Sequence, residues 1–191
     1  MLSQLDNLKA IVLDFDCTIT REHTGGRVDS PERMSSEYIK NNIKNGFHDF
    51  VRQVVRKDIA IYIATYGDDR FATAPEEIAG HALIQRYMEC LFGTEQTVFR
   101  APERDAEGEI TQYHNVIAKF SGDRKAFHWD IILRQLKGEV GVHEVLFLDD
   151  EIGNIEYAQE LGCQCIVTGT AAYAASISAD ERIFDLLKLK L

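Results

Sequence analysis

Residues 8–20 read LKAIVLDFDCTIT, and this stretch decides the fold. Its run Ala10-Ile11-Val12-Leu13 is short, apolar and partly β-branched, the pattern of a strand buried on both faces. Asp14 and Asp16 follow where that strand runs out, and Thr18 trails them. Charge at the end of a buried strand needs compensation, so its partners must come from elsewhere in the chain.

Moving outward, 59–64 (IAIYIA) predicts a second buried strand ending at Thr65-Tyr66-Gly67-Asp68, and 145–148 (VLFL) another ending at Asp149-Asp150-Glu151. Thr97-Val98-Phe99 is a further apolar stretch, 116–120 predicts a short strand, and Cys165-Ile166-Val167 a last one. Helical spacing of apolar residues runs over 38–56, where Gly46 weakens the middle, and from Pro75 to about Leu91. A third helix opens at Ser121-Gly122-Asp123 and is closed by Gly138 and Gly141. A fourth covers 154–161, closed by Gly162, and the tail 171–191 reads as mostly helical. Residues 21–37 form a polar loop, and 101–114 a loop or small hairpin.

Strands thus alternate with helices, which predicts right-handed crossovers and an α/β fold. The expected architecture is a Rossmann-like three-layer α/β/α sandwich on a mainly parallel sheet, a single domain over 1–191. A formal net charge of −10 disfavours a nucleic-acid or anionic membrane surface. There is no apolar run of bilayer length, and the polar, acidic start does not resemble a signal peptide. Four cysteines without CxxC pairs fit free thiols in the cytoplasm or another reducing compartment. Cys17 lies between two acids with no histidine nearby in sequence to activate it, so a thiol nucleophile is disfavoured.

In parallel sheets ligands bind at the carboxyl ends of strands, which brings forward Asp14, Asp16, Thr18, Thr65, Asp149 and Asp150. Lys125, at the helix start after Ser121, supplies a cation. Four carboxylates at one edge repel unless a divalent cation and a lysine sit among them, and carboxylate oxygens suit Mg²⁺, which accompanies phosphate. The residues therefore point to metal-assisted phosphoryl transfer.

Together these residues resemble the haloacid dehalogenase (HAD) superfamily, whose phosphatases carry DxDxT after the first strand. It stands here as Asp14-Phe15-Asp16-Cys17-Thr18, with Thr65 matching the second motif and 146–150 the acid-ended fourth. The small magnesium-dependent phosphatases of that superfamily are a closer likeness, through Lys125-Ala126-Phe127-His128-Trp129 and 147–155 (FLDDEIGNI). That resemblance selects Lys125 over Lys119 and Lys137.

It also implies the roles. Asp14 is the expected nucleophile and a metal ligand, and Asp16 the acid and base whose backbone carbonyl binds Mg²⁺. Asp150 is the expected third ligand, with Asp149 in direct or indirect support. Thr65 and Lys125 hold the phosphoryl group, and Tyr66 and Gly67 are placed with them at the substrate. Thr18 is expected to order the loop. His128 could face the site or be a structural helix residue, and Trp129 reads as packing. Arg21, His23, Arg27 and Arg33 could meet an anionic substrate or form a solvated loop face, and Arg21 is taken as the substrate-binding candidate.

Too few residues separate the motifs for a cap domain, so the site is expected to be open, with minimal or no cap. The small phosphatases are linked to phosphotyrosine, which makes a phosphorylated protein the expected substrate partner. The alternatives are a phosphatase of small metabolites such as sugars or nucleotides, and a phospho-accepting receiver. Receivers carry the acceptor on a middle strand and the acid pair on the first, the reverse of the order here.

Overall fold

The computed structural model describes residues 7–169 and 181–191. Strand β1 (Ala10–Leu13) is central in a five-stranded parallel sheet. On one side lie β3 (Ala60–Thr65) and then β7 (Val116–Ala118), and on the other β8 (Val145–Asp149) and then β9 (Gln164–Val167). Leu13 is level with Ile63 on β3 and with Leu148 on β8, so the three carboxyl ends finish side by side. After β7 the chain crosses back over β1 to start β8, and this reversal opens a crevice at the ends of β1 and β8.

The continuous apolar runs follow from burial on both faces. Ile11, Leu13, Ile61, Ile63, Leu146 and Leu148 face one core, while Ala10, Val12, Tyr62, Ala64, Val145 and Phe147 face the other. The first is covered by helices α1 (Ser36–Asn42), α2 (Phe47–Arg56) and α3 (Gly80–Phe92), and by the C-terminal helix α6 (Ile183–Lys188). The second is covered by α4 (Ala126–Leu136) and α5 (Ile152–Leu161), with Trp129 edge-on to Phe147 at 5.2 Å. This is the three-layer α/β/α arrangement. Each fully buried large aliphatic side chain contributes about 1.5–3 kcal/mol, so the position of β1 is over-determined.

Several elements depart from the sequence reading. The helix expected over 38–56 is two helices, because Gly46 is left-handed (φ 77°) and a Cβ there would meet Asp185 Oδ1 at 2.4 Å. The break lets Ile43 bridge to Thr20 and lets Asn42 accept from the Glu22 amide, which ties down the loop after β1. The helix expected from Pro75 begins five residues later. Glu77 instead folds back to accept from the Thr73 amide and hydroxyl, and β4 (Ile78–Ala79) pairs antiparallel with β2 (Arg27–Val28). Gly80 then opens α3 at φ 52°, with a Cβ excluded by the Asp69 amide at 2.4 Å.

Thr97-Val98-Phe99 forms no strand, although Phe99 is buried and stacks on Phe47. Residues 101–114 contain a hairpin of β5 (Glu103–Arg104) and β6 (Ile110–Gln112). Of the helical tail, 181–191 carries α6, and 171–180 lies outside the described residues. No helix among the described residues is long and apolar enough to cross a membrane.

Candidate active site

Three strand ends and one helix start converge at the crevice. Asp14 leaves β1 with its amide bonded to the Leu148 carbonyl at 2.8 Å, which places its carboxylate beside Asp149, the last residue of β8. Thr65 ends β3, and its carbonyl accepts from the Lys119 amide at 3.1 Å and from His128 Nε2 at 2.9 Å. Lys125 precedes α4 rather than belonging to its first turn. It and Arg124 are both left-handed, at φ 64° and 54°, a conformation that costs side-chain-bearing residues energy and is typically held by tertiary contacts.

Those contacts are ionic. Lys125 Nζ donates to Asp14 Oδ1 at 2.5 Å and to Asp149 Oδ2 at 2.6 Å, with the lysine only 1% exposed. Burial opposes the lysine's charge, but the two carboxylates outweigh it and hold the ammonium above its ordinary value. Burial likewise pushes the Asp14 carboxyl well up, with Lys125 pulling it down and Asp149 adding to the rise. The close ammonium keeps this pair in its ionic form.

Asp149 is nearly saturated. Besides Lys125 it accepts from the Glu151 amide at 2.8 Å and from Asn154 Nδ2 at 3.1 and 3.2 Å, and the Tyr66 hydroxyl in turn donates to Asn154 Oδ1 at 2.9 Å. Asp150 is more open, and burial, followed by the charge of Asp149, raises its carboxyl to about 6. One oxygen each from Asp14, Asp149 and Asp150 lie within 4.8 Å of one another. This all-oxygen donor set fits a hard divalent cation, with Asp14 and Asp150 the freer ligands.

Asp16 faces the same cleft from the loop after β1. Thr24 fixes it, donating to Oδ1 from its amide at 3.0 Å and its hydroxyl at 2.8 Å, while His23 Nδ1 lies 3.3 Å from Oδ2. Thr18 bonds Thr168 at 2.7 Å and so ties that loop to the chain after β9. Burial, with Asp150 and Asp16, pushes the Cys17 thiol up to about 11, which leaves little thiolate.

The cleft measures about 470 Å³, and Asp14, Asp16, Thr65, Tyr66, Gly67, Lys125, Asp149 and Asp150 all line it. Arg21 does not. Its amide bonds the Asn42 carbonyl, which turns the side chain outward to Glu181 (2.8 Å), Asn45 (2.9 Å) and the Asn41 carbonyl. Arg27 faces Glu77 at 3.9 Å and Arg33 lies over the Tyr38 ring, so of the four loop cations only His23 reaches the cleft. Phe71 and Phe120, which line the cleft, and Thr24, which holds Asp16, were not legible as site residues, because tertiary packing rather than a motif sets them in place.

His128 is structural. Its Nε2–H donates to the Thr65 carbonyl, Nδ1 has no partner among the described residues, and burial, then the Lys125 charge, lowers the ring's pKa to about 4. Between pH 6.5 and 4 the unfolded chain therefore binds a proton that the folded one refuses, so stability falls as pH falls through that window. We expect this group to cost about 2 kcal/mol at pH 5 relative to pH 7. Urea unfolding of the wild type and His128→Gln at both pH values checks it: the stability gap should shift by that amount in favour of the variant at pH 5, and parallel profiles would refute the assignment.

No family model matches the chain, and no curated protein sequence matches it. Solved structures do. The 3-deoxy-D-manno-octulosonate 8-phosphate phosphatase of Moraxella catarrhalis, in complex with magnesium, phosphate and KDO, matches with TM-score 0.53 at 12% identity, covering 99% of this chain and 90% of that one. CbbY from Rhodobacter sphaeroides, as a mutant holding xylulose-(1,5)bisphosphate, matches with TM-score 0.51 at 14% identity, covering 85% and 87%. The chain also matches 23% of the length of DsGPDH of Dunaliella salina, at 9% identity and TM-score 0.48. Sheet order, layer arrangement and the likenesses to the Moraxella and Rhodobacter structures together show that this chain shares their α/β/α fold.

Proposed function

We propose that this protein is a Mg²⁺-dependent phosphatase that hydrolyses phosphomonoesters of small molecules through an aspartyl-phosphate on Asp14. The observation that carries the reading is the buried Lys125 ammonium held between Asp14 and Asp149 at 2.5 and 2.6 Å, at the rim of a carboxylate-lined cleft. Lys125 occupies one oxygen of Asp14 and leaves the other as the nucleophile for a phosphoryl group bound in the cleft.

In the first half-reaction an Asp14 oxygen forms a bond to phosphorus as the bond to the leaving oxygen breaks, and Asp16 gives that oxygen its proton. In the second, Asp16 takes a proton from water, the water oxygen bonds to phosphorus, and the bond to Asp14 breaks to release phosphate. Thr24 keeps the Asp16 carboxyl aimed for both transfers. Lys125 neutralises charge on the phosphoryl oxygens, and Thr65, fixed by His128 through its carbonyl, offers its hydroxyl to them. Asp14 and Asp150, with the Asp16 carbonyl and with Asp149 in support, would hold a Mg²⁺, which would supply electrostatic stabilisation of the transferring group.

The substrate reading follows the solved relatives. They act on an octulosonate 8-phosphate or hold a sugar bisphosphate, which supports a small phosphorylated molecule over the phosphotyrosyl protein expected from the motifs. Turnover of a panel of sugar, nucleoside, aryl and phosphotyrosyl-peptide monophosphates decides between them. We expect hydrolysis to vanish in EDTA and return with Mg²⁺, and peptides to be the poorer substrates. Sustained turnover also separates a phosphatase from a receiver, which would be phosphorylated without releasing phosphate, and metal-independent turnover would refute the reading.

A further inference from the structure

Strand β7 is an outer edge of the sheet, and its carboxyl end braces the end of β3 that carries Thr65. Thr65 pairs with Ala118, and in this parallel register the Lys119 amide turns inward to the Thr65 carbonyl at 3.1 Å, while the Ala118 amide turns off the open edge. Ala118 is buried, so that outward donor needs a partner from the protein. His81, the second residue of α3, supplies it, its Nε2 accepting from the Ala118 amide at 3.1 Å. The Phe120 amide beyond goes to Asp68 Oδ2 at 3.3 Å. Consecutive amides thus tie the end of β7 to α3, to β3 and to the loop after β3.

An imidazole accepts at Nε2 only while that nitrogen carries no proton. Asp69 enforces this. Its Oδ1 accepts from the His81 amide at 2.7 Å and its Oδ2 lies 2.8 Å from His81 Nδ1, so one carboxylate grips both main chain and ring. Burial works against the Asp69 charge, but the His81 bonds and the Arg104 guanidinium outweigh it and keep the carboxyl below its ordinary range. An ionised carboxylate only accepts, which puts the ring proton on Nδ1 and leaves Nε2 bare. Asp69 can come this close because residue 80 is glycine, where a Cβ would meet the Asp69 amide at 2.4 Å.

We infer that His81 is a positioning residue of the phosphatase site, acting through Ala118 and Lys119 to fix Thr65, and that Asp69 serves it by holding the proton on Nδ1. This rests on the phosphatase reading above. His81 does not line the cleft, so its effect is indirect. The Thr65 carbonyl is then held from two sides, by His128 directly and by His81 one amide away.

Steady-state kinetics with Mg²⁺ and an aryl monophosphate test it, with circular dichroism of each variant. His81→Leu should lower kcat about tenfold with KM within about twofold of wild type. His81→Gln, whose side-chain oxygen can take the Ala118 amide, should recover most of the loss. Asp69→Asn should cost about as much as His81→Leu, since the new amide can donate to Nδ1 and free Nε2 to carry the proton. In Thr65→Ala, which removes the hydroxyl being positioned, adding His81→Leu should cost less than about threefold. Imidazole ¹⁵N shifts should show His81 protonated on Nδ1 in the wild type and not in Asp69→Asn. Unchanged kcat in His81→Leu or in Asp69→Asn, an additive loss in Thr65→Ala, or a wild-type ring protonated on Nε2 overturns this inference alone. Should His81→Leu not fold, the Asp69→Asn kinetics and the ring shifts decide by the same criteria. Absence of Mg²⁺-dependent hydrolysis in the wild type overturns the phosphatase reading with it.

Discussion

Asp14→Asn should abolish turnover while leaving a folded protein. The amide matches the carboxyl in volume, and its oxygen still accepts from Lys125, which keeps Asp149 as its ionic partner at 2.6 Å. What disappears is the nucleophilic charge, and with it one of the freer oxygen ligands for a divalent cation. We expect kcat to fall by roughly 10⁴-fold or more, as when a covalent nucleophile is removed elsewhere. Circular dichroism and thermal unfolding should be close to wild type. Rapid-quench labelling with a phosphorylated substrate should give a hydroxylamine-sensitive phosphoprotein in the wild type and none in the variant. Retained hydrolysis would move the nucleophile to another residue.

How much of this site could be read from the sequence depended on what holds each part. Asp14 stood out because β1 is buried on both faces, so an unbroken apolar run ends abruptly in charge. Thr65 and Asp149 were legible for the same reason at the ends of β3 and β8. Lys125 lies on no strand; its place at a predicted helix start offered it as a cation, and its likeness to a known motif selected it over Lys119 and Lys137. The left-handed turn at Arg124 and Lys125 that aims it carries no sequence signature, since neither residue is glycine.

Long-range contacts fixed what the chain alone did not disclose. The break at Gly46 answers to Asp185 from α6, and the late start of α3 answers to the Asp69 amide and to the pairing of β2 with β4. Arg21 was misplaced because a loop cation after a nucleophile suggests anion binding, whereas the turn through Asn42 directs it to Glu181 and Asn45. In sequence Phe71 is an ordinary loop aromatic and Phe120 the last residue of a predicted short strand. They become cleft walls once Asp68 bonds Arg70 on one side and the Phe120 amide on the other.

Lys125→Met should have the second largest effect, on stability and activity together. Methionine is of similar length and fills the buried position, but it leaves Asp14 and Asp149 facing each other with no counter-charge. Removing one partner of a buried ion pair typically costs about 3–5 kcal/mol, far more than the pair contributes against an apolar replacement of all its members. In a chain of this size that corresponds to a fall in Tm of roughly 10 °C. One of the two acids can limit the cost by staying protonated, its pKa now raised in the folded state. The folded variant then holds a proton that the unfolded chain releases, so the loss should be smaller at pH 5 than at pH 8. A divalent cation can replace the missing charge, so Mg²⁺ should raise the variant's Tm more than the wild type's. Its kcat should remain about 10²- to 10³-fold down, because a cation bound to the carboxylates does not supply the donor aimed at the phosphoryl oxygens. Wild-type stability in Lys125→Met would show that the two carboxylates do not depend on this lysine, and the site would need a different electrostatic account.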